Sequence, residues 1–300
     1  MLESYFKGIP WRRFMDFIAP DANRFSILIE LLEKSGLEYK GLNAAGSRHF
    51  LVSPPEPSER AYKLLEGRPP ILLVAHYDRA EGSPGANDNS AGVFLLIETA
   101  RKLVKSNVNN WSVIFTDKEE LKTGEGLQEQ GSYALAQNLK NSRMENGRVF
   151  CFDTCGSGDT LIVSTTIESL IKKEGGGEKL RESMMELRKL ALNTARDLKL
   201  TKILLAPTPF SDDAGFFRAG LAAQTITFLP SSECKDLISE LQKNQEYSDI
   251  LINAEFRQNT APHFIPETWR NLNSPNDTHE RLTPEHFKAV ISFAEALCRR

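Results

Sequence analysis

Short apolar runs alternate along the chain with stretches whose apolar residues recur at helical spacing, and this alternation outlines the fold. Ile71-Leu72-Leu73-Val74-Ala75, behind Pro69-Pro70, is an unbroken apolar run of strand length, as expected of a strand buried on both faces of a largely parallel sheet. Trp111 to Thr116, Arg148 to Phe152, Lys202 to Leu205 and Gln224 to Phe228 read as further strands. Between them, Val93, Leu96, Ile97 and Ala100 mark one helix, and Leu180, Met184, Leu187, Leu190, Ala191 and Ala195 another. Strand, helix, neighbouring strand is a βαβ unit, so the pattern predicts an α/β fold with a mixed, mostly parallel sheet flanked by helices.

The flanks are read in the same way. Residues 1–46 are predicted helical, with Phe14, Phe17 and Ile18 in one group and Phe25, Ile27, Leu28, Leu31 and Leu32 in another, Asp21 or Asn23 as cap and Gly36 as stop. Arg48 to Val52 is a strand near the sheet edge, in which His49 is given a packing or surface role only. Glu174 to Glu178 is glycine-rich but lacks the Lys-Ser/Thr of a phosphate loop, so it is a connector. Residues 231–268 are polar and irregular, with room for an amphipathic turn or two around Leu237 and Leu241, an insertion near the mouth of any site, and Glu280 to Leu297 is a C-terminal helix. The expectation is one domain over residues 1–300.

Composition narrows the class of protein. Three hundred residues bury a sizeable core, and 37 basic against 40 acidic side chains leave a formal charge of −3 without a long single-sign block. Neither nucleic acid nor an anionic membrane is therefore an expected partner. Met1-Leu2-Glu3-Ser4 opens no basic-then-apolar leader and no apolar run reaches membrane-spanning length, so a cytoplasmic protein is expected. Cys151, Cys155, Cys234 and Cys298 are too few and too scattered for a disulfide framework and are read as reduced, buried thiols.

The candidate chemistry lies where apolar runs stop. The first ends in His76-Tyr77-Asp78, the second runs into Asp117-Lys118-Glu119-Glu120, and the third into Asp153-Thr154-Cys155-Gly156. Each has a plain explanation: Asp88 or Asn89 caps a helix, paired glutamates make a solvated turn, and an Asp opens a turn on its own backbone. Three strands each ending in an acid or an imidazole are harder to assign to turns alone, because open α/β sheets place ligands at the carboxyl ends of their strands.

The string His76-Tyr77-Asp78 followed by Gly85-Ala86-Asn87-Asp88-Asn89-Ser90-Ala91-Gly92 resembles the signature of the zinc aminopeptidase family that also contains the glutaminyl cyclases, peptidase family 28. The resemblance extends to Glu119-Glu120, Gly131-Ser132, Asp153, Ser211-Asp212-Asp213-Ala214-Gly215-Phe216 and Gly220-Leu221-Ala222-Ala223, most of the chain from about Arg48 onward. It implies a three-layer fold of the zinc exopeptidase, or phosphorylase/hydrolase-like, kind. It also implies metal ligands His76, Asp88, Glu120 and Asp153, Asp78 behind the His76 ring, and Glu119 as general base. The cofactor implied is one or two zinc ions, Asp88 bridging them if both bind, and the substrate a small peptide or aminoacyl compound.

Some positions depart from that family. Lys118 stands where glycine is common, Leu121 to Gln130 is longer than the usual connection, and Asp213 replaces a histidine. The family closes its site with a histidine before the last helix; counting back from Asp277-Thr278 puts Asn273 there, and counting forward from Pro266-Glu267-Thr268-Trp269 puts Arg270 there. A neutral Asn carbonyl suits harder ions than zinc and an arginine binds no cation, so the second metal position is expected to be weakened, with His279 or His263 as distant substitutes. The resemblance implies a metal-dependent hydrolase, an aminopeptidase acting through a metal-activated water. The alternatives are a glutaminyl cyclase-type aminoacyltransferase and a catalytically decayed binding protein.

Overall fold

A computed structural model of the chain describes residues 11–55, 67–140, 142, 144–244, 247–252 and 265–300. Helices α1 (Trp11–Ile18) and α2 (Arg24–Lys34) precede a hairpin of β1 (Tyr39–Ala44) and β2 (Ser47–Val52). There follow β3 (Ile71–His76), α3 (Ala91–Lys105), β4 (Trp111–Thr116), α4 (Gly131–Lys140), β5 (Arg148–Phe152), β6 (Thr160–Ser164), α5 (Thr166–Glu174) and α6 (Gly177–Asp197). The chain continues through β7 (Ile203–Ala206), α7 (Asp212–Arg218), β8 (Ala223–Leu229), α8 (Ser231–Lys243), α9 (Tyr247–Ile252), α10 (Glu267–Arg270) and α11 (Phe287–Cys298).

The eight strands form one sheet in the order β1-β2-β4-β3-β5-β8-β6-β7. The β3/β4, β3/β5, β5/β8 and β6/β7 pairs are parallel, and β1/β2, β2/β4 and β6/β8 are antiparallel. Period-two alternation divides the strands between two helical layers. Leu73, Val113, Phe115, Phe150 and Phe152 face the larger core with α1, α2, α3, α6 and α11, whereas Leu72, Val74, Ile114, Val149 and Cys151 face α4 and α7. The result is the expected three-layer α/β architecture. All four cysteines are buried and free. Among the described residues no helix is long and apolar enough to cross a membrane.

Three expectations about the elements are corrected. The N-terminal helical part stops at Lys34, and Tyr39–Ala44 is an edge strand paired antiparallel with β2, mostly exposed as an edge strand can be. Within 231–268, the turns around Leu237 and Leu241 are part of a full helix, Ser231–Lys243, followed by Tyr247–Ile252, with Cys234, Leu237, Tyr247 and Leu251 buried in a third cluster against Ile162 and Leu229. The C-terminal helix begins only at Phe287, Pro284 opening a separate short turn before it. The run Thr160 to Ser164, wholly buried, supplies a strand the pattern left unread.

Candidate metal centre and active site

Strand register brings the candidate side chains together. His76 is level with Thr116 on β4, and Val74 with Cys151 on β5; two residues beyond the second pair the chain reaches His76 on one strand and Asp153 on the other. Alternation then turns His76, Thr116 and Asp153 to the face shared by Val74, Ile114 and Cys151. His76 Nε2 is 3.1 Å from Asp88 Oδ1 and 3.6 Å from Asp153 Oδ1, and Nδ1 is 3.4 Å from Asp78 Oδ1. Donor atoms of His76, Asp88 and Glu120 all lie within 4.8 Å of one another.

Asp88 comes from a turn, Ala86–Ser90, whose backbone departs from helical geometry at Asp88 and Asn89, and the Asp88–Asn89 peptide is cis. Every edge of that turn is tied down. The Asp277 carboxylate accepts from the amides of Asn87 (2.9 Å) and Asp88 (3.0 Å), Asn87 Oδ1 accepts from Gly156 N (2.7 Å), and Asn89 Nδ2 donates to Phe152 O (2.8 Å). From α2, the buried Arg24 guanidinium donates to the carbonyls of Tyr77, Asp78, Pro84 and Gly85 and to Ser90 Oγ, at 2.7–3.2 Å. Burial, and secondarily Arg79, lowers the Arg24 pKa to about 9, so it stays charged at neutral pH.

The paired glutamates follow β4 through Lys118, whose φ of 58° lies in the left-handed region, where glycine is unstrained and a lysine is not. Asp78, behind His76, accepts from the amides of Glu119 (3.2 Å) and Glu120 (3.1 Å), so one carboxylate orients the imidazole and the loop carrying both glutamates. Burial, with the charges of Glu120, Asp153 and Asp212, pushes the Glu119 carboxyl well above its ordinary range against the pull of His76. Burial and Asp88 do the same to Glu120. Burial opposes protonation of His76, but the neighbouring carboxylates of Asp153, Asp78 and Asp88 outweigh it and raise the pKa well above its ordinary value.

These residues fit a divalent cation. The donor set is one imidazole with carboxylates, suited to zinc. Glu120 Oε1 and Asp153 Oδ1 are buried without a hydrogen-bond partner among the described residues, which is costly for a carboxylate unless a cation or proton meets it. Asp88, Glu119, Glu120, Asp153 and Asn273 line a cleft of about 520 Å³, which also receives Phe210 and Leu272. Asn273 is thus at the cleft, whereas Arg270 is exposed and not among its lining residues. His279 is away from the cleft beside Glu280 (3.2 Å), and His263 lies outside the described residues.

Several buried groups around the site were given no role by the sequence. Gln130 Nε2 donates to Glu119 Oε1 (2.9 Å) and carried no signal, standing in a polar run. Arg24 carried one: it occupies the same helical stripe as Leu28, Leu31 and Leu32. Asp212, which accepts from Thr116 Oγ1 (2.6 Å), and Asp213 are both wholly buried, and burial raises each to about 7. Asp277, also raised to about 7 by burial and by Asp88, served only as a counting mark in the sequence.

A sheet that gathers an imidazole and carboxylates at the carboxyl ends of its middle parallel strands has the architecture of the zinc-dependent exopeptidases. The model of peptidase family M28 matches residues 62–296, and the chain belongs to that family. Its fold and family are those of metal-dependent hydrolases. A leucine aminopeptidase precursor from Bacteroides thetaiotaomicron is similar in structure at 17% identity and TM-score 0.64, over 100% of this chain and 97% of that one. A glutaminyl cyclase from the same organism, bound to N-acetylhistamine, is similar at 17% identity and TM-score 0.63, over 100% and 98%. BSAP, a zinc aminopeptidase from Bacillus subtilis, is similar at 19% identity and TM-score 0.52, over 83% of this chain, which spans 49% of its length. No curated protein matches the chain.

Proposed function

We propose that the protein is an aminopeptidase that removes N-terminal residues from small peptides with the help of zinc. The observation that carries it is the position of Glu119: it lines the cleft with Asp88, Glu120 and Asp153, yet its Oε1 is held by the Gln130 amide, whereas Asp88 and Asp153 face the His76 ring. His76, Asp88 and Asp153 would hold one ion, and Asp88 with Glu120 a second, weaker one, for which Asn273 offers only an amide oxygen. When bound, the cation supplies Lewis acidity, easing loss of a proton from water and polarising a carbonyl. Glu119 takes the proton of the attacking water and returns it to the leaving amine. Asp78 keeps His76 in one tautomer and carries the glutamate loop on the same carboxylate.

The test is metal analysis of protein purified without a nickel column, together with release of N-terminal residues from a peptide panel. About one tightly held zinc per chain is expected, with Glu119→Ala keeping its metal while turnover falls on the order of 10²- to 10⁴-fold. Metal-independent hydrolysis, or a fully active Glu119→Ala protein, would overturn the proposal. Pyroglutamyl product from peptides with N-terminal glutamine would favour the cyclase reading, which the end-to-end likeness to the Bacteroides cyclase keeps in view.

A further inference from the structure

We infer that Gln130 is a positioning residue for Glu119, holding one oxygen of that carboxylate so that the other addresses the reacting water; this rests on the reading of Glu119 as the base. Gln130 is only 2% exposed and lines the cleft with Glu119. Its Nε2 donates to Glu119 Oε1 at 2.9 Å, and the same nitrogen is 3.3 Å from Glu119 O and 3.4 Å from Ser211 O. Its Oε1 accepts from Ser132 Oγ at 3.0 Å. Acceptors on the nitrogen side and a hydroxyl donor on the oxygen side leave the carboxamide one sensible orientation, with its N–H toward the carboxylate.

The backbone is built to bring this amide in. A Cβ on Gly131 would fall 1.8 Å from Asp117 O, so only glycine lets the chain return beneath the end of β4 immediately after Gln130. On the facing helix α7, a Cβ on Gly215 would fall 2.2 Å from Ser132 Oγ and 2.7 Å from Gln130 Oε1. The Gly131 approach fixes the backbone beside Gln130, and the Gly215 approach packs α7 against its carboxamide, whose nitrogen donates to the glutamate. The charges acting on Glu119 are those of His76 and of the acids Glu120, Asp153 and Asp212, and the Gln130 amide is the donor that holds its Oε1. The long connection Leu121 to Gln130, a departure from the family pattern, delivers that donor.

A mutant cycle separates positioning from mere packing. Gln130→Met keeps the side-chain length and removes both polar atoms. In the wild-type background it is expected to lower kcat about 10- to 100-fold, the scale of a misplaced catalytic group, with KM and metal content unchanged. In the Glu119→Ala background the same change is expected to leave the residual rate alone. Equal losses in both backgrounds, or no loss in the first, would overturn the inference. Should Gln130→Met fail to fold, Ser132→Ala takes its place in the cycle, freeing the amide oxygen and costing a smaller part of kcat. A second readout needs no activity: the Gln130 side-chain NH₂ resonance, assigned through its contacts to Ser132 and Ser211, is expected to move in Glu119→Ala protein. A resonance that stays put would refute the contact itself, whereas one that moves in a protein without peptidase turnover would count against the proposed function and leave the contact standing.

Discussion

A histidine buried beside a carboxylate-rich loop makes stability depend on pH, and His49 is such a residue. Its side chain lies inside the β1–β2 corner, 1% exposed, where Nδ1 accepts from Asp117 N at 3.2 Å. That bond requires the neutral imidazole, and burial lowers the pKa from 6.5 to about 4, with Asp78 pulling weakly the other way. Between those two values the unfolded chain binds the proton and the folded one does not. The contribution is therefore complete above about pH 6.5 and is lost as pH falls towards 4, by up to about 3 kcal/mol at roughly 1.4 kcal/mol per unit. Denaturant midpoints measured across this range are expected to fall more steeply for wild type than for His49→Gln; parallel profiles would show that His49 titrates normally. The sequence could not separate this histidine from a surface one, since an imidazole inside a short alternating strand gives the same pattern on either face. His76 was legible because it ends an unbroken apolar run.

At the scale of elements, the N-terminal helices belong to the site. Arg24 directs its donors to carbonyls of the loop leading into the turn that presents Asp88, and Arg79, in that same loop, donates back to Ile18, Ala19 and Pro20 between α1 and α2. The two arginines clasp the helix pair and the loop from opposite sides, although α1 and α2 precede the region matched by the family model. Arg24→Met is expected to weaken zinc affinity about 10- to 100-fold, as loss of groups that orient ligands does, with far-UV circular dichroism preserved. Arg24→Lys recovers little of this, because a single ammonium cannot replace a planar fork spread over six acceptors, Phe17 O included. Chelator competition giving an unchanged affinity for Arg24→Met would refute the clasp. The helical stripe predicted α2 correctly; its tertiary role rests on contacts 53 to 66 residues away, which no local period records.

For the whole molecule, the centre ties metal to stability. Asp88, Glu119, Glu120 and Asp153 converge in a largely buried space, where like charges raise the free energy of the fold unless a proton or cation meets them. A cation that binds the folded chain alone adds about 2.7 kcal/mol at 100 times its Kd. Chelation is expected to lower Tm by several degrees and added zinc to restore it in a concentration-dependent way, while Asp88→Asn abolishes most of the increment. A Tm indifferent to both chelator and zinc would show that these carboxylates are met by protons instead.

The amino-acid pattern by itself determined the α/β class, most of the buried strands, and the residues that end them, because burial leaves its mark locally: apolar runs for strands covered on both faces, and a polar residue where the chain leaves the sheet. The tertiary structure alone decided that β3 lies between β4 and β5, so that His76 comes close to Glu120 on one side and Asp153 on the other, and that Asn273 rather than Arg270 lines the cleft. It also decided that Arg24, Gln130 and Asp277 stand behind the candidate ligands and base. The physical reason is that strand order and side-chain contacts arise from packing between segments far apart along the chain, where each partner's neighbours in sequence carry no trace of the other.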